Sequence, residues 1–137
     1  MKILFAGTPH NAAKTLTQLV HLGFDVAAVL TREDALVGRS QEPTASDVAL
    51  VAKELGIEVI KANKVTDEVI ARLQSLGIDI GVVVAYGSFL NRKALDALPL
   101  GWFNLHYSLF PAYRGAAPVQ WQILSGATTL GSSVFSL

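Results

Sequence analysis

The chain has no cysteine among its 137 residues. That excludes disulfides, thiolate-ligated zinc and a cysteine nucleophile. Charge is also scarce: 16% of residues are charged, and eleven basic against eleven acidic residues leave a formal net charge of +0. Bulk charge therefore predicts no affinity for nucleic acid, and any such contact must be local. No apolar run approaches the roughly 20 residues that span a bilayer. The start, Met1-Lys2, leads straight into Ile3-Leu4-Phe5-Ala6, which is too short for a secretion signal and is cut by Gly7-Thr8-Pro9. A soluble cytoplasmic protein without a membrane partner is expected. Hydrophobic residues make up 51% of the chain, enough for a globular core, and the length suits a single domain or part of one.

Several motifs are missing as well. A dinucleotide fold would place Gly-x-Gly-x-x-Gly after the first strand, but here a single glycine, Gly7, is followed by Pro9, which has no backbone donor. A phosphate-binding P-loop is absent too. The turn could still offer helix N-terminal amides to an anion, or be a tight strand-to-helix connection and nothing more. The three histidines, His10, His21 and His106, have no His-x-x-x-His spacing, so no metal site is expected. No Gly-x-Ser-x-Gly elbow exists for a serine hydrolase.

What is present is an alternation of apolar runs and helical patterns. Ile3–Ala6 reads as a buried strand, with Thr8 as cap and Pro9 in the first turn of a helix carried by Leu16, Leu19 and Val20 and ended by Gly23. Val26–Leu30 is a second strand, and Thr31–Thr44 a long polar loop without a period. A helix from Ser46 or Asp47 runs through Val48, Val51, Ala52 and Leu55 to Gly56. Ile57–Ile60 is a strand, and a helix beginning at Thr66-Asp67-Glu68 runs to Gly77. Ile78–Tyr86 reads as the central strand, Asn91–Leu98 as a short helix, Trp102–His106 as a strand, Ala117–Leu124 as a helix and Leu130–Leu137 as a last strand. The pattern predicts an α/β fold, Rossmann-like, with a mostly parallel sheet, helices on both faces and an incomplete last strand. Ligands in such sheets bind beyond the carboxyl ends of the strands. Those ends carry Gly7-Thr8-Pro9, the Thr31–Thr44 loop, Ala85-Tyr86-Gly87 and His106-Tyr107-Ser108.

Within Trp102-Phe103-Asn104-Leu105-His106, two polar side chains interrupt an apolar strand. Asn104 and His106 are two apart and share one face. Burying an amide beside an imidazole costs free energy unless each meets a polar partner. Either both are satisfied by backbone, or the strand end is a site. As a site, the amide can hold a carbonyl oxygen that becomes an oxyanion, and the imidazole can donate a hydrogen bond or move a proton from an attacking amine. Such a pair wants a carboxylate. Asp79 lies at the wrong end of its strand, and Asp96 is in a helix.

Phe5-Ala6-Gly7-Thr8-Pro9, Val82-Val83-Val84-Ala85-Tyr86-Gly87, and Asn104-Leu105-His106-Tyr107-Ser108-Leu109-Phe110-Pro111 with Arg114-Gly115-Ala116-Ala117-Pro118 together resemble the methionyl-tRNA formyltransferase family. The Asn-x-His-x-Ser-Leu-x-Pro run marks the wider formyltetrahydrofolate-dependent transferases. Residues 1–137 then correspond to the amino-terminal formyltransferase domain. The resemblance implies transfer of a formyl group from 10-formyltetrahydrofolate to the amine of initiator methionyl-tRNA by a bacterial, cytoplasmic, monomeric enzyme of translation initiation. It assigns catalysis to Asn104 and His106, the folate site to Tyr86, Gly87, Ser108, Leu109, Phe110 and Pro111, and tRNA contact to Arg39. Alternatives are a formyltransferase with a small amine as acceptor, or a folate-binding module without turnover.

Three departures from the family pattern bear on function. Ser40-Gln41-Glu42 follow Arg39 where lysines are common, which weakens attraction to phosphate. Tyr107 and Phe110 replace a commonly small residue and a leucine. The family's catalytic aspartate, and its carboxy-terminal β-barrel domain, would lie beyond Leu137, so residues 1–137 alone are expected to be a weak or inactive catalyst.

Overall fold

A computed structural model describes residues 1–37 and 42–137. The elements in chain order are β1 (Ile3–Gly7), α1 (His10–His21), β2 (Val26–Thr31), β3 (Ala35–Val37), β4 (Glu42–Thr44), α2 (Asp47–Glu54), β5 (Glu58–Lys61), α3 (Asp67–Ser75), β6 (Ile80–Val84), α4 (Arg92–Leu95), β7 (Trp102–His106), α5 (Pro118–Leu124) and β8 (Ser133–Ser136). The six-stranded sheet has the order β5-β2-β1-β6-β7-β8. Its strands are parallel except β8, which runs antiparallel to β7 from Phe103↔Ser136 to His106↔Ser133.

The alternation of side chains along β1 builds two cores. Ile3 and Phe5 pack with Ala12, Leu16 and Val48 of α1 and α2 on one face. Leu4 and Ala6 pack with Ile70, Leu73 and Ala94 of α3 and α4 on the other. Each fully buried Leu or Phe of this kind contributes roughly 1.5–3 kcal/mol of transfer free energy. The mostly parallel sheet with helices on both faces is the predicted α/β class.

Helix starts follow the sequence signals at Ser46 and Thr66, whose hydroxyls accept from Ala49 N and Val69 N. Three features differ from expectation. Thr8 does not cap α1; Pro9 is the N-cap and makes no side-chain bond, because the Thr8 hydroxyl donates instead to Tyr86 O, 2.8 Å away. The Thr31–Thr44 stretch is not loop throughout: β3 and β4 pair antiparallel as a two-stranded ribbon. Phe103, expected inside, is 36% exposed, since no core cluster covers its position on β7.

Strand order places the turning point of the topology between β1 and β6. The Thr8–Tyr86 bond ties the carboxyl ends of these two strands together. Beside that seam, the ends of β6 and β7 open onto the cavity described next.

Candidate active site

β6 and β7 pair in parallel with Gly81↔Trp102 and Val83↔Asn104. Their close fit depends on Gly81, because a Cβ there would lie 2.2 Å from the Trp102 ring. The indole Nε1 donates to Ala94 O at 2.9 Å, which fixes the start of β7 against α4. Two residues on, Asn104 emerges on the same face, and His106 follows it at the strand end.

After β6 the chain turns through Ala85, which has φ 51°. Three hydrogen bonds then hold the loop: Thr8 Oγ1 to Tyr86 O, Tyr86 OH to Ala62 O at 2.6 Å, and Ser88 Oγ to Asn63 O at 2.6 Å. Tyr86 is 1% exposed. Burial pushes its phenol above the ordinary tyrosine range; nearby Arg32 opposes the shift and Glu33 adds to it. The hydroxyl therefore stays neutral and serves as a donor inside the protein. What this loop offers to the cavity is backbone, with Gly87 at φ 80°.

The cavity has a volume of about 590 Å³ and is walled by Val83 and Ala85–Phe89, by Asn104–Tyr107, and by Gly115–Pro118. Its size and mostly apolar wall with few polar groups suit a flat organic ligand. Among the described residues, the Asn104 side-chain amide has no hydrogen-bond partner. Every buried side-chain polar atom there is satisfied, so this amide is a donor reachable from the cavity. His106 Nε2 lies 3.0 Å from Tyr113 O. A carbonyl only accepts, so Nε2 carries the proton in the neutral ring and Nδ1 keeps its lone pair. The two readings of the sequence thus divide: His106 is half satisfied by backbone, and Asn104 is left open.

No carboxylate pairs with His106 among the described residues; the imidazole–carboxylate approach there is His10 Nδ1 to Asp47 at 3.9 Å, on the surface. Asp79 accepts from Lys2 N, and Asp96 pairs with Arg92, both away from the site. Among the described residues, no group of three or more His, Asp or Glu is placed to hold a metal, and no helix is long and apolar enough to cross a membrane.

The remaining site residues expected from sequence fall in different places. Tyr86, Gly87, Asn104 and His106 share the cavity wall. Ser108, Leu109, Phe110 and Pro111 stand outside it. Ser108 is buried, and its hydroxyl donates to Ala112 O at 2.6 Å. The Phe110 ring meets the His106 ring edge-on at 6.0 Å and packs on Phe135 at 4.6 Å. This segment backs the imidazole. Arg39 lies outside the described residues.

Sequence reasoning passed over Phe89, which is 97% exposed at the rim, and the wall formed by Gly115–Pro118. The signal for the second was present: small residues before a proline at the first position of α5 leave room in front of a strand end.

An apolar slot at the carboxyl ends of parallel strands thus carries, on one wall, an open amide and an imidazole engaged through one nitrogen. The formyl transferase family matches the chain over residues 1–137, and the chain belongs to that family. It is 53% identical to the methionyl-tRNA formyltransferase of Arthrobacter sp. (strain FB24), a match covering 100% of this chain and 45% of that protein. It is 51% identical to the methionyl-tRNA formyltransferase of Streptomyces avermitilis, over 98% of this chain and 44% of that protein. The chain thus spans less than half the length of these relatives. In fold it is similar to phosphoribosylglycinamide formyltransferase from Bacillus halodurans (TM-score 0.79, 20% identity, 100% of this chain and 72% of that one). A sugar N-formyltransferase from Shewanella sp. FDAARGOS_354 is also similar (TM-score 0.64, 15% identity, 100% and 51%).

Proposed function

We propose that the protein transfers a formyl group from 10-formyltetrahydrofolate to the α-amine of methionine on initiator tRNA, in the bacterial cytoplasm. The observation that carries this reading is the placing of the Asn104 amide, without a partner among the described residues, beside a His106 imidazole held there by one nitrogen, on the wall of one cavity. Membership of the formyl transferase family and identities of 44–53% to proteins named methionyl-tRNA formyltransferase support the choice of donor group and acceptor.

In this reading the folate ring system lies in the slot between the Tyr86-Gly87 backbone and the ends of β6 and β7, and Ser108, Leu109, Phe110 and Pro111 support the site from behind the imidazole. The acceptor nitrogen attacks the formyl carbon and a new C–N bond forms. Negative charge gathers on the formyl oxygen, where the Asn104 Nδ2–H donates to it. The tetrahedral intermediate collapses by breaking its bond to the folate nitrogen. The amine loses one proton and the folate nitrogen gains one; His106 Nδ1 is the nitrogen free to carry it. Arg39 contributes the local positive charge that a neutral protein needs to meet tRNA phosphate.

The test is formylation of methionyl-initiator-tRNA with 10-formyltetrahydrofolate by the purified full-length protein, in competition with glycinamide ribonucleotide and a sugar amine. Preferential formylation of the tRNA supports the reading. Preference for a small amine, or folate binding without turnover, overturns it in favour of the corresponding alternative.

A further inference from the structure

We propose that α5 is a positioning element for His106, acting through the Tyr113 carbonyl, and that Tyr113 and Ser125 are positioning residues that fix the imidazole as the Nε2–H tautomer. The inference rests on the catalytic role given to His106 above, and it is built from four linked hydrogen bonds. His106 Nε2 donates to Tyr113 O at 3.0 Å. The Tyr113 hydroxyl lies 2.7 Å from Ser125 Oγ. Ser125 Oγ–H is already given to Gln122 O at 2.8 Å, so the phenol must be the donor to serine. Gln122, 3% exposed in α5, sends Nε2 to Tyr107 O at 2.7 Å.

Gln122 and Ser125 are three apart and fall on one side of the helix end. Between them they hold the chain on both sides of His106, at Tyr107 and at Tyr113. The circuit closes on the imidazole. Tyr113 also has φ 54°, a left-handed conformation that is uncommon for a bulky aromatic residue. Such a backbone persists where its surroundings over-determine it. Here the phenol anchored on Ser125 does so, and the turn aims the carbonyl at Nε2. The imidazole thereby takes its orientation and tautomer from the Tyr113 carbonyl. Nδ1 is left as the proton-carrying atom.

The experiment reads the tautomer directly. Long-range proton–nitrogen correlation spectra of ¹⁵N-labelled protein resolve three imidazoles, with His106 assigned by its loss in His106→Gln. Recorded where the ring is neutral, the wild type is expected to show Nε2 protonated and Nδ1 bare. Ser125→Ala and Tyr113→Phe each remove the anchor and should move His106 toward averaged tautomers. They should lower kcat by about 3- to 30-fold, inside the roughly 10²–10⁴-fold span of general acid–base catalysis, with KM unchanged to within about 2-fold. Ser125→Thr keeps a hydroxyl and should restore both readouts. A wild-type ring protonated on Nδ1, or anchor variants with wild-type tautomer and kcat, overturns the proposal. A locked tautomer that loosens in the variants, in a protein that transfers no formyl group, upholds the positioning and overturns the catalytic reading.

Discussion

The Trp102 indole crowds Gly81 on the neighbouring strand so closely that a Cβ on Gly81 would come 2.2–2.7 Å from three of its ring carbons. Gly81→Ala must displace the ring, and with it the Nε1 bond to Ala94 O. Overpacking of this kind costs roughly 1–3 kcal/mol, and leaving the buried indole N–H without its acceptor adds about 1–2 kcal/mol. We expect a loss of about 2–5 kcal/mol on denaturant unfolding at constant m-value. Activity should fall as well, because Asn104 is two residues from the displaced ring. An alanine variant with wild-type stability would show that the strands can part without cost.

The Thr8–Tyr86 bond gives a second, smaller effect. It crosses 78 positions of sequence to join the ends of β1 and β6. Thr8→Val keeps the shape and removes the donor, and should destabilise by about 1 kcal/mol; Thr8→Ser should restore most of it. If the hydroxyl capped α1, serine would also rescue, but loop exchange would not change. Faster amide exchange at Gly87 and Ser88 in Thr8→Val, with α1 protected as before, separates the two.

Much of this architecture was legible in the chain. Apolar runs gave the parallel strands, Ser46 and Thr66 announced helix starts, and Gly23, Gly56 and Gly77 marked helix ends with φ of 82°, 69° and 67°. Asn104 and His106 stand out in the sequence because polar residues inside an apolar strand demand a reason, and both line one cavity wall. What escaped had no local signature. β3 and β4 are three residues each, and Pro43 breaks any alternation between them. Thr8 found an acceptor that only the fold brings near. Ser108 resembles a ligand contact in sequence, yet its hydroxyl is spent on Ala112 O. The Tyr113 carbonyl is a backbone atom, and sequence says nothing about where such atoms point.

Tyr86 supplies a pH-dependent prediction. Its folded pKa is raised, chiefly by burial, so the neutral phenol is favoured in the folded state. The stabilisation is complete below the unfolded value near about 10 and is lost as pH rises through the higher folded value. At neutral pH, Tyr86→Phe leaves Ala62 O without its donor and should cost about 1–2 kcal/mol. Above about pH 10 the wild type alone pays for keeping this phenol protonated, and the gap between the two proteins should narrow. Urea unfolding of both at neutral and alkaline pH measures that gap, and a constant value would refute the assignment.

Asn104 and His106 should separate stability from catalysis. The Asn104 amide has no partner to lose among the described residues, so Asn104→Ala should leave unfolding within about 0.5 kcal/mol of wild type. In the proposed reaction it removes the donor to the developing oxyanion, an expected loss of about 10²–10³-fold in kcat. His106→Ala is different. It breaks the bond to Tyr113 O and empties the space against Phe110, so it should cost about 1–2 kcal/mol of stability as well as activity. Asn104→Asp is the sharper control: the shape is kept, but a negative charge now faces the oxygen that must become negative. Its kcat should fall at least as far as in the alanine variant. Retention of activity in Asn104→Asp would mean that the formyl oxygen is held elsewhere, and the open amide would need another explanation.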